Sequence, residues 1–161
     1  TPLDPAAIAR DAVAAAGPGY QAKGVCLDLN EPDAGPRVLA DAERIQQVLA
    51  NLLDNALRHT PAGGQVSVSI HEGSDKTVGI TVIDNGEGIP ADQLAEVFER
   101  FYRADPARAV HDGGGSGLGL TIARAIAEDH GGSLTASSAG PGSGSSFTLR
   151  LRPARTGPVR G

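Results

Sequence analysis

Apolar positions recur along this chain with two spacings, and each spacing marks one kind of element. Between Ala42 and about His59, the residues Ile45, Val48, Leu49, Leu52, Leu53, Ala56 and Leu57 fall three and four apart. They therefore share one face of a helix, which Asp41 can cap and Thr60-Pro61-Ala62-Gly63-Gly64 stops. Leu118 to His130 repeats the pattern through Leu120, Ile122, Ala123, Ile126 and Ala127, with Gly131-Gly132 as its stop. A further helix is predicted from Asp4 to about Ala16 on Ile8, Ala12 and Val13, ended by Gly17-Pro18-Gly19. A short one follows from Ala91 to about Tyr102, carrying Leu94, Val97, Phe98 and Phe101.

The second spacing is two. Val66, Val68 and Ile70 alternate with Ser67, Ser69 and His71, the mark of a half-buried strand. Gly73-Ser74-Asp75 turns it into Val78 to Ile83, whose β-branched run reads as a buried strand, so the pair predicts an antiparallel hairpin. Val25 to Leu29 and Arg37 to Leu39 read as extended. Leu134 to Ser137 and Ser146 to Leu151 form a second hairpin about Gly140 to Gly144. Helices between strand pairs predict an α+β two-layer sandwich, its mixed, mostly antiparallel sheet covered by helices on one face. Ala104 to Ser116, rich in Asp, Pro, Arg and Gly, reads as a lid or binding loop. Arg152 begins a Pro, Arg and Gly tail expected to fray, which leaves one domain over 1–152.

Composition narrows the partners. Fourteen Lys and Arg against nineteen Asp and Glu give a net charge of −5. That balance argues against a nucleic-acid backbone or an anionic membrane surface. The single cysteine, Cys26, excludes an internal disulfide framework and, in its strand-like setting, reads as a small core residue. No run approaches the roughly 20 apolar residues of a membrane span. The chain contains no Met, which suggests a piece of a longer protein.

Three stretches could carry chemistry. Asp84-Asn85-Gly86-Glu87-Gly88-Ile89-Pro90 places an acid at a strand's end beside glycines that let the backbone approach a ligand. It reads equally as a strand-to-helix turn or as a carboxylate that accepts from an amino group such as that of adenine. On the Ala42 to His59 helix, about 100° per residue gathers Arg44, Asn51, Asn55 and Arg58 into an arc of about 60° away from the apolar stripe. A solvated polar face or an amide oxygen for Mg²⁺ beside a phosphate-balancing cation both fit. Gly113-Gly114-Gly115-Ser116-Gly117-Leu118-Gly119-Leu120 opens a helix, so it is a phosphate cradle or a flexible linker. The histidines form no metal cluster: His71, His111 and His130 read as surface imidazoles, and His59 lies near the proposed pocket.

Taken in order, these boxes resemble the catalytic ATP-binding domain of sensor histidine kinases, a branch of the Bergerat-fold ATPases. Asn51 to Pro61 resembles the N box, Asp84 to Pro90 the first glycine box, and Val97-Phe98-Glu99-Arg100-Phe101-Tyr102-Arg103 the F box. Gly115 to Leu120 resembles the second glycine box and Gly142 to Phe147 the last, so the likeness covers roughly Arg37 to Leu151. The resemblance implies that Asp84 binds the adenine amino group, with Gly86, Gly88 and Ile89 shaping its pocket. It implies that Asn55 holds Mg²⁺, that Asn51 lies close by in a catalytic position, and that Arg58, His59 and Tyr102 line the nucleotide. Gly115, Ser116, Gly117, Leu118, Gly119 and Leu120 would meet the phosphates, Arg103 would lie near the γ-phosphate as a catalytic cation, and Ser145 would reach the base through water.

The implied activity is transfer of the ATP γ-phosphoryl group to a histidine on a separate dimerising helical hairpin, with a response regulator downstream. The implied setting is the cytoplasmic side of a membrane-anchored bacterial sensor, with this piece monomeric and nearly inactive by itself. A nucleotide sensor or pseudokinase without transfer, and a Bergerat-fold ATPase or serine kinase, are the alternatives. The ATPase branch carries a glutamate where Asn51 stands, which favours the kinase.

Overall fold

The computed structural model describes residues 2–30, 37–73, 77–86, 88, 116–138, 140 and 142–153. In chain order the elements are β1 (Pro2–Leu3), α1 (Pro5–Lys23), β2 (Cys26–Asn30), β3 (Val38–Leu39), α2 (Ala42–His59), β4 (Gln65–Glu72) and β5 (Val78–Asp84). They are followed by α3 (Ser116–Asp129), β6 (Ser133–Ser137) and β7 (Ser145–Leu151). The expected helix from Ala91 to Tyr102 and the expected lid up to Gly115 lie outside the described residues.

Five strands form one sheet in the order β2-β4-β5-β7-β6, while β1 and β3 pair separately. β2 runs parallel to β4, which the crossover through α2 makes possible, and the other neighbours are antiparallel. Register then sorts the side chains. Val68, Val82 and Phe147 stand in one row and Ile70, Ile80 and Leu149 in the next, all buried beneath the helices. The opposite face is polar: Thr81 Oγ1 lies 3.0 Å from both His71 Nε2 and Thr148 Oγ1. His71 lies over its register partner Gly79, filling the space a side chain there would need. This is the expected α+β sandwich with one face covered, and among the described residues no helix is long and apolar enough to cross a membrane.

α1 departs from expectation. Instead of stopping near Ala16, it runs through Gly17-Pro18-Gly19 to Lys23 and ends at Gly24, whose φ of 83° makes a left-handed cap. Propensity opposes this, since an interior proline costs about 3 kcal/mol relative to alanine. Tertiary anchors beyond the proline win. Tyr20 is buried and its hydroxyl donates to Leu53 O at 2.6 Å, while Lys23 Nζ donates to Leu57 O at 2.6 Å. Pro18 faces solvent, as does Ala14, so water can reach the carbonyl that loses its helical donor.

Other expectations also shift. Cys26 is exposed rather than a core residue, because Val25, Leu27 and Leu29 take the inward positions and the alternation sends Cys26 and Asp28 outward. α3 begins at Ser116, not Leu118, so Gly117 and Gly119 lie within its first turns. His130 is no loose surface imidazole: Nδ1 contacts Ile126 O at 2.8 Å and Nε2 accepts from Asp41 N at 3.1 Å, joining the end of α3 to the start of α2. Arg152 and Pro153, placed at the start of a frayed tail, are tied to β3 by Leu39 N donating to Arg152 O at 3.3 Å and by a Val38 to Pro153 bridge.

Replacing the solvent-facing proline tests how α1 is held. Pro18→Ala should raise unfolding free energy in urea by about 1–2 kcal/mol, less than the full interior-proline cost because the helix already accommodates the ring. A loss of stability would show instead that the proline is needed for Tyr20 and Lys23 to reach α2.

Candidate functional site

The site grows out of the last residue of β5. Period-two alternation sends Val78, Ile80, Val82 and then Asp84 to the same covered face, so the strand carries a carboxylate into the end of the core. Asp84 is 3% exposed. Its Oδ1 accepts from the Gly86 amide at 2.9 Å, and its Oδ2 accepts from Ser145 Oγ at 2.7 Å, across the β5–β7 register. Both oxygens are held in place, yet each keeps acceptor capacity for a donor arriving from outside.

Glycines bring three backbone segments together around that acid. A Cβ on Gly86 would overlap the His59 carbonyl, one on Gly88 the Gly140 carbonyl, and one on Gly144 the Asp84 carbonyl. Gly88 and Gly144 also have φ of 77° and 74°, the left-handed region that suits glycine. Asn85 fastens the same corner, accepting through Oδ1 from Gln65 N at 2.8 Å while its amide donates to Gln65 O at 3.2 Å.

α2 supplies the opposite wall. Its polar arc is solvated at Arg44 but not further along: Asn55 is 5% exposed, and Asn51 Nδ2 donates to Gly119 O at 3.0 Å. The helix's own periodicity could not foresee this, because it is α3, packed against α2, that brings the Gly119 carbonyl to Asn51. Arg44, from the same arc, pairs with Asp129 at 3.7 Å. Arg58 and His59 stand half-buried on the last turn of α2, beside the Gly86 contact. Leu120 points into the core, so the start of α3 has its backbone to offer there.

Of the expected site residues, the structure gathers Asp84, Gly86, Gly88 and Ser145 at one corner and brings Asn51 to Gly119 at the α2–α3 contact, while Asn55 is buried one turn further along α2. Ile89, Tyr102, Arg103 and Gly115 lie outside the described residues, and nothing is described of the side chains of Ser116 and Leu118; Gly117 lies in the first turn of α3. Sequence reasoning missed Ser138, whose Oγ donates to Gly144 O at 2.6 Å and accepts from Gly140 N at 3.1 Å, bracing the turn that touches Asp84. A serine two residues before a glycine-rich turn was the available signal. It also missed Thr60, fully buried where α2 ends, between Gly64 and Gly86.

Among the described residues, no three His, Cys, Asp or Glu side chains assemble a metal cage. The donor set is instead a buried neutral amide, which suits a small hard cation that keeps most of its shell as water and phosphate oxygens.

Comparison with known proteins agrees with the fold. The family model "Histidine kinase-, DNA gyrase B-, and HSP90-like ATPase" matches residues 40–155. The Signal transduction histidine-protein kinase BaeS of Escherichia coli is 40% identical over 132 residues, 82% of this chain and 27% of BaeS. The sensor histidine kinase WalK of Bacillus subtilis is 43% identical over 122 residues, 74% of this chain and 20% of WalK. The chain thus spans about a quarter of the curated relatives it matches. Among solved structures, the catalytic domain of histidine kinase ThkA superposes with a TM-score of 0.78 at 26% identity, covering 95% of this chain and 96% of that one. Full-length ShkA in complex with AMPPNP gives 0.82 at 28% identity, covering 97% of this chain and 31% of ShkA.

The close backbone approach at Gly86 makes a sharp test. Gly86→Ala should destabilise the fold by about 2 kcal/mol or more in chemical denaturation, because the added methyl must displace the end of α2. Wild-type stability would show that His59 and Gly86 are not pressed together.

Proposed function

The chain belongs to the histidine kinase-, DNA gyrase B- and HSP90-like ATPase family, and from that membership we propose that it is the Mg·ATP-binding catalytic domain of a two-component sensor histidine kinase. ATP binding comes with the family. The observation that carries the kinase reading is the pairing of a buried Asp84, its oxygens aimed by Gly86 and Ser145, with Asn51 and Asn55 on the facing helix.

In this reading the free acceptor capacity of Asp84 takes the exocyclic amino group of adenine. A purine carrying a carbonyl at that position would set oxygen against oxygen, so the acid selects by charge as well as by shape. The glycines let the backbone segments around the acid close on one another, which fixes where its oxygens face. Asn55 offers its amide oxygen to Mg²⁺, with Asn51 adjacent; the ion, when bound, would neutralise charge on the phosphates. Arg58, His59 and Arg103 contribute donors and positive charge along the triphosphate, and the start of α3 contributes backbone amides.

The reaction proposed is transfer of the γ-phosphoryl group from ATP to an imidazole nitrogen of a histidine on a separate helical hairpin, leaving ADP and phosphohistidine. The catalytic share of this chain is positioning and electrostatic stabilisation, which is most of what phosphoryl transfer asks of a protein. The names of BaeS, WalK and ThkA as histidine kinases support the class, and the likeness to ShkA in complex with AMPPNP supports a nucleotide site. A response regulator would receive the group next, with this domain on the cytoplasmic side of its parent sensor.

Titration with a fluorescent ATP analogue tests the site. Asp84→Asn should weaken binding at least about tenfold, since it removes a charge-assisted acceptor and turns a donor toward the amine. Asn55→Ala should abolish the Mg²⁺ dependence of binding. Unchanged affinity in the first and unchanged Mg²⁺ response in the second would overturn the assignment. Incubation with the helical hairpin and γ-labelled ATP should label its histidine; binding without label would favour a nucleotide sensor.

A further inference from the structure

Small residues line much of one side of the seam between α1 and α2, and small residues do little to set register. Ala12, Ala15, Ala16, Gly19 and Ala50, with the larger Tyr20, Gln46, Asp54 and Leu57, surround a cavity of about 300 Å³ there. Without ridges to seat in grooves, packing does little to fix how far one helix slides along the other. Directional bonds at the end of α1 take over that task. Tyr20 Oη donates to Leu53 O at 2.6 Å, Lys23 Nζ to Leu57 O at 2.6 Å and to Arg58 O at 3.4 Å, and Gly24 O accepts from Gly63 N at 2.7 Å. Leu53 and Leu57 each lie two residues from Asn55, and of these bonds the side-chain one that is buried is the one from Tyr20.

We propose that Tyr20 is a positioning residue for the nucleotide site: its hydroxyl, bound to the Leu53 carbonyl, sets where α2 presents the Asn55 amide relative to Asp84. The proposal rests on the nucleotide reading of that site. Leu53 lies two residues before Asn55, and its carbonyl also belongs to the helical ladder, so the added donor pulls on the backbone that carries the amide. Tyr20 itself is 2% exposed and lies within electrostatic reach of Asp84 on one side and Asp54 on the other. Burial pushes its hydroxyl well above the usual tyrosine range, and the carboxylates of Asp84 and Asp54 push it further. Both effects favour the protonated hydroxyl, the form that donates to Leu53 O.

Tyr20→Phe keeps the ring in the core and removes the bond, so it separates positioning from packing. Affinity for the fluorescent ATP analogue should fall about fivefold, the factor a net hydrogen bond is worth. The Mg²⁺ midpoint should rise with it, and amide exchange across 53–58 should quicken. Gln21→Ala, on the exposed side of the same turn, should change none of these. A purely structural tyrosine would lower Tm but leave affinity and Mg²⁺ midpoint unchanged well below the transition, and that result overturns the proposal. If Tyr20→Phe binds like wild type while Asp84→Asn does not bind, the positioning role fails and the nucleotide reading stands. A wild-type chain that binds no nucleotide, or is indifferent to Asp84→Asn, ends both.

Discussion

A carboxylate at the edge of an apolar core is the constraint on which this structure turns. Asp84 occupies an inward position of β5, where the rows of Val, Ile and Phe side chains give out. A buried acid is costly unless it is hydrogen-bonded, and here Gly86 and Ser145 meet that need from two different strands' ends. The turn after β5 and the turn before β7 must consequently close on the same point. Gly144 and Gly86 are what let them do so, since a side chain at either would strike backbone.

The same closure binds the end of α2 into the site. Gly86 presses on the His59 carbonyl, Asn85 holds the start of β4, and α1 reaches over from the other side through Tyr20, Lys23 and Gly24. α2 is therefore gripped at its C-terminal half, the half that bears Asn51, Asn55, Arg58 and His59. Its N-terminal end is joined to α3 through Asp41, Arg44 and His130. A helix held at both ends by polar contacts, above a sheet that supplies the apolar burial, keeps a fixed position against the sheet and α3.

How much of this was readable beforehand divides along physical lines. α2, β4, β5 and the second hairpin were legible because apolar spacing kept up through an element is a strong local signal, and their observed bounds differ by a residue or two. α1 was misjudged at Gly17-Pro18-Gly19, where local propensity pointed to a stop and distant anchors at Tyr20 and Lys23 overruled it. Cys26 was misassigned because an alternating strand offers two faces, and nothing within it says which one the helices cover. Whether Asn55 was solvated or part of a site stayed open on the helical wheel, because a wheel has no neighbours on it, and its burial was decided by packing.

What the sequence by itself determined is the set of elements, the two-layer class and the order of the glycine and asparagine boxes, since each is written in residues close together along the chain. What only the tertiary structure decided is which carbonyl Gly86 rests against, which hydroxyl meets Asp84, which flank of α2 is buried and how far α1 extends. Those depend on contacts between residues tens of positions apart, such as Tyr20 with Leu53 and Ser145 with Asp84. Short-range preference carries no information about a partner that folding alone brings near.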